Sequence, residues 1–108
     1  MKVSKVKHMY EKLMDNKNNI EESARELWKG HGADIGKLNG YLHEVSSIIL
    51  NMAESLNEED KLVTINYIKN ALSDFKSACD RRDEYMLADC LYFEWRELVS
   101  IYIDEAEE

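Results

Sequence analysis

The chain has 108 residues, 44% of them apolar and 33% charged, with four glycines and no proline. That length is one domain, and the apolar content excludes a disordered segment. The lack of proline and scarcity of glycine exclude a turn-dense β-sandwich or barrel. A formal charge of −8 repels the phosphate backbone and argues against nucleic-acid binding.

Apolar residues fall at helical spacing from the start. Val3, Val6, Tyr10 and Leu13 step by three and four, which predicts a helix over about 2–15. The polar run Asp15-Asn16-Lys17-Asn18-Asn19 predicts a break, and Asn19 with Glu22 fits a capping box for a second helix from Ile20. The face of that helix is Ile20, Ala24, Leu27 and Trp28. The phase is almost kept across the break, so one longer bent helix is the alternative. Gly30-His31-Gly32 should end it. Gly32, Gly36 and Gly40, four apart, read equally as a small-residue stripe for close backbone approach or as a loosened helix start.

Ile35, Leu38, Leu42, Val45, Ile49, Met52 and Leu56 form an unbroken heptad seam over about 33–56. Asn57, with Asp60 three residues on, caps a third helix with the stripe Leu62, Ile65, Ile68, Leu72, Phe75 and Cys79. Asp80 to Asp83 is a polar turn with Asp83 as the next N-cap. The last helix turns Leu87, Ala88, Leu91, Trp95, Leu98 and Tyr102 inward and runs to about Glu105. These elements predict an all-α fold over 1–108: an antiparallel up-down bundle of four main helices whose first arm is split or bent.

The sequence points to no chemistry. Di-iron bundles need Glu-x-x-His pairs, and His8, His31 and His43 have Lys5, Trp28 and Gly40 three positions back. Cys79 and Cys90 are eleven apart with no histidine near, unlike a zinc site. Both read as buried, reduced, chemically quiet thiols. Glu94 and Glu97, with Arg96 near them, read as a solvated charge cluster. No metal, cofactor or small-molecule substrate is implied, and the expectation is a non-enzyme. The longest apolar run, Ile48-Ile49-Leu50, is far too short to span a membrane. With no signal-like N-terminus, a cytoplasmic protein is expected.

What remains is interaction surface. The last helix is apolar almost all round, which calls for burial on two sides. Tyr85, Tyr92 and Val99 sit seven apart on a stripe adjoining the seam, with Met86 and Phe93 beside it. These five residues are the predicted partner-binding set. A protein-binding module, chaperone-like or adaptor, that takes up a partner helix is the first reading, and a homodimer sharing the last helix is the alternative. The first 17 residues carry five lysines against two acids, which leaves a membrane-surface helix as a lesser one.

The run Asp83-Glu84-Tyr85-Met86-Leu87-Ala88-Asp89-Cys90-Leu91-Tyr92-Phe93-Glu94-Trp95 resembles a segment of small helical proteins of clostridia and bacilli associated with motility loci. That family carries Asp-Tyr-x-Leu-Ala-Asp-x-Leu-x-Tyr-Glu-Leu. Leu87-Ala88-Asp89, Leu91 and Glu94 match it, whereas Phe93, Trp95 and Glu97 stand where it has tyrosine, leucine and often proline. The resemblance implies a helical bundle similar to flagellar export chaperones and brings no catalytic residues.

Overall fold

A computed structural model describes the backbone of residues 2–107 and the side chains of 7–104. Val3 and Val6, predicted to face inward, and the acidic side chains after Asp104 lie outside those described. Among the described residues the chain is helical, with no strand. The helices are α1 (Lys2–Trp28), α2 (Ile35–Ala53), α3 (Glu58–Arg81), α4 (Glu84–Asp89), a π-helical turn (Cys90–Trp95) and α5 (Arg96–Glu107). The last three run on without a break and form one C-terminal rod.

The predicted split of the first arm does not occur. At 1.5 Å per residue the 27 residues of α1 give a helix of about 40 Å, and the molecule is 43 Å long. The reason is Asn16. Leu13, Asn16, Ile20, Ala24 and Leu27 are buried in one unbroken helical register. The Asn16 side chain donates to Lys12 O at 2.8 Å, so a polar residue sits on the core stripe at little cost. The asparagine run is polar in sequence but keeps its phase.

Local chemistry sets the other boundaries. Gly30 and Gly32 adopt φ of +80° and +77° after α1, a left-handed conformation that a side chain would strain. The small-residue stripe is thereby excluded: Gly32 lies outside α2, Gly36 and Gly40 are exposed, and a Cβ on Gly40 would meet nothing within 4 Å. Asp34, Asn57 and Asp83 cap α2, α3 and α4 by accepting the backbone N–H of Lys37, Asp60 and Met86 at 3.1, 2.8 and 3.0 Å.

Short turns fold the helices back on one another. α1 packs against α2 and the whole rod, and α3 packs against α2, α4 and the π-turn. The core is built from Leu13, Ile20, Leu38, Leu42, Val45, Ile49, Leu91, Trp95 and Val99, all fully enclosed. On α2 the predicted seam holds except at its ends, where Ile35 is exposed and Met52 and Leu56 are half-buried. On α3 the buried stripe is Thr64, Ile68, Ala71, Phe75 and Ala78. Leu62 is exposed, and Ile65, Leu72 and Cys79 are only half-buried. Thr64, Ala71 and Ala78 recur every seven residues, and these small side chains let the bulky rod come close. The Thr64 and Tyr102 hydroxyls meet at 2.7 Å inside this contact.

Candidate functional site

The π-turn is where the rod departs from ordinary helix. Arg96 N–H bonds Leu91 O, five residues back. Such a turn takes up one more residue than an α-turn. Each residue beyond it therefore occupies the angular position that an α-helix would give its predecessor. Val99 is thereby brought into the core beside Leu98 and is fully buried. This corrects its assignment to the outer stripe. Ile103 is buried beside Tyr102 for the same reason. All six predicted core residues of the rod are buried. Trp95 Nε1 donates to Ala71 O at 3.3 Å, and the Cys90 thiol approaches the same carbonyl at 3.8 Å. These contacts tie the turn to α3.

The outer side of the turn faces a groove of about 590 Å³ lined by Asp74, Asp83, Tyr85, Met86, Asp89, Cys90, Phe93 and Glu94. Tyr85 and Phe93 are 68% and 59% exposed. Three of the five predicted partner-binding residues, Tyr85, Met86 and Phe93, thus meet at one surface. Tyr92 does not join them. It is half-buried against Trp28 of α1, with ring centroids 5.2 Å apart, and the Arg96 guanidinium lies 4.2 Å over its ring. Phe93 bridges the two regions, 5.2 Å from Tyr92 and 6.3 Å from Trp28. Trp28 Nε1 donates to Asp89 at 3.2 Å and fixes the corner.

The acid lining was missed by sequence reasoning. Asp74 reaches the groove from α3 and had no signal. Glu94 does not belong to the charge cluster predicted for it: Arg96 pairs with Glu97 at 2.7 Å. Glu94 instead meets Asp74. Burial, then a hydrogen bond and repulsion from Asp74, push its carboxyl from 4.5 up to about 7, against a small opposing pull from the Cys90 thiol. The folded chain holds a proton there that the unfolded chain releases near 4.5. Its stabilising effect is full below that pH and is lost as the pH rises towards about 7. Glu94→Gln keeps a neutral side chain, so it should gain in melting temperature relative to the parent between pH 5 and pH 8. A gap between the two proteins that does not change with pH would contradict this account.

Both cysteines are free, but only Cys90 is buried. The expectation of two buried thiols therefore fails at Cys79, which the rotated register of α3 leaves half-exposed. Burial raises both thiols, with Glu94 adding at Cys90 and Asp80 at Cys79. A small disulfide reagent should label Cys79 slowly and Cys90 only on unfolding. Rapid labelling of both without denaturant would contradict the packing described.

Among the described residues no group of three or more His, Cys, Asp or Glu is placed to hold a metal ion. No described helix is long and apolar enough to cross a membrane. No protein-family model, curated protein or solved structure matches the chain.

Proposed function

We propose that the chain is a non-catalytic protein-binding module, adaptor- or chaperone-like and acting in the cytoplasm, that takes up a partner helix in the groove beside the π-turn. The observation that carries this reading is the exposure of Tyr85 and Phe93 on the groove wall while the other side of the same rod is core. Exposed aromatic rings are typical anchors at protein interfaces, where truncation of one costs up to a few kcal/mol of binding. Helix-in-groove binding suits a surface formed by two antiparallel helices. The resemblance of residues 83–95 to motility-locus bundles agrees with this role and adds no residue to the site.

The test is retention of proteins from cell extract on the immobilised chain. A specific band held by the parent and lost with Tyr85→Ala/Phe93→Ala is expected. A parent that retains nothing, or bands that the substitution does not alter, would contradict the reading. Self-association is the second reading, supported by exposed Leu62, Val63 and Ile101, none of which lines the groove itself. Light scattering separates the two, because a mass near 12.7 kDa at micromolar concentration excludes a stable dimer.

A further inference from the structure

The register of α3 against the rod is fixed at three points. The Thr64 and Tyr102 hydroxyls meet, Tyr67 Oη donates to Glu94 O at 3.2 Å, and Trp95 donates to Ala71 O. Exposed apolar groups continue along both helices beyond the groove lining. Val63 stands one turn before Tyr67 on α3, while Tyr85 and Phe93 on the rod are followed by Ile101. From Tyr85 to Ile101 the rod runs about 24 Å at 1.5 Å per residue, the length of a helix of about four turns.

The charge lining the groove has one sign. Asp74, Asp83, Asp89 and Glu94 line the groove, and no lysine or arginine is among its lining residues. The nearest cation on the rod, Arg96, is engaged with the Tyr92 ring and with Glu97. An acidic partner would meet uncompensated repulsion, whereas a neutral one would partly desolvate the carboxylates without offsetting their charge. A cationic one neutralises them, and its ammonium or guanidinium groups also fit over the exposed faces of Tyr85 and Phe93.

We propose that the groove between α3 and the C-terminal rod docks a cationic amphipathic helix of about four turns, its apolar stripe on Tyr67, Tyr85 and Phe93 and its basic residues against Asp74, Asp89 and Glu94. This assignment rests on the partner-helix reading above and names the partner's chemistry. Asp83 lines the same groove but is committed to capping α4.

The probe is a labelled 18-residue peptide of leucine and lysine at helical spacing, followed by fluorescence anisotropy at pH 8 against the full chain. A peptide with every lysine replaced by glutamate is the comparison. The lysine peptide should bind and the glutamate peptide should not. Asp74→Asn/Asp89→Asn/Glu94→Gln should weaken binding about tenfold. The same number of acids removed on the exposed face of α1, by Glu11→Gln/Asp15→Asn/Glu22→Gln, should change it about twofold or less. Phe93→Ala, which alters no charge, should weaken binding about tenfold and serves if the groove triple variant does not fold.

Equal loss in the two triple variants would show unspecific attraction to an acidic protein and overturn the proposal. Equal binding of the two peptides, sensitive to Phe93→Ala, would overturn the cationic assignment while leaving a partner-helix groove in place. Failure of both peptides to bind would overturn the proposal and count against that groove as well.

Discussion

Leu91→Asp is expected to abolish the cooperatively folded state. Leu91 is completely enclosed on the rod, at the start of the π-turn and facing the bundle core. An aspartate there must either desolvate its charge with no partner or take up a proton, and it also loses the packing of a leucine. The two losses together exceed about 5 kcal/mol, comparable with the whole stability of a domain this size. Leu42→Asp should do the same from α2, where Leu42 is equally enclosed. Circular dichroism is the measurement. Either variant showing the parent's helical signal and a sharp melt would mean that the core has been misplaced.

Trp95→Ala should be the most costly truncation that still leaves a testable protein. Trp95 is the largest fully buried side chain, and it carries the bond from the π-turn to Ala71 O. Removing it leaves a cavity between α1, α3 and the rod, with an expected loss of about 3–5 kcal/mol. Trp95→Phe keeps most of the ring and loses the indole donor, so about 1–2 kcal/mol is expected. Urea unfolding of the two variants against the parent gives both values. A loss below about 1 kcal/mol in Trp95→Ala would show that the turn is not held by this residue.

Much of the architecture was legible in the sequence because its signals are local. The heptad seam of α2, the caps at Asn57 and Asp83 and the inward set Leu87 to Tyr102 on the rod follow from spacing and capping chemistry alone. The failures have three physical causes. Asn16 is a polar residue on a core stripe, and its amide is satisfied within its own helix, which spacing rules read as a break. On α3 the larger apolar side chains mark only part of the line: Ile68 and Phe75 are buried as predicted, but the rod's bulk selects the small residues Thr64, Ala71 and Ala78 beside them. Val99 was misplaced because one wide turn changes the phase of everything after it, and no residue in Cys90 to Trp95 announces such a turn. The groove itself was half visible. Tyr85, Met86 and Phe93 were found from the surplus of apolar residues on the last helix. Asp74 could not be, since its place opposite Glu94 depends on how two distant segments pack.

The central claim is that one rod serves two purposes, with its inner side holding the fold and its outer rings free to bind. Urea unfolding of Tyr85→Ala/Phe93→Ala tests this most directly. The two rings are largely exposed, so the variant should keep the parent's helical signal and lose less than about 1 kcal/mol of stability. A loss of about 3 kcal/mol or more, the cost of truncating a core aromatic, would show that both rings belong to the fold and leave the outer side with nothing to offer a partner.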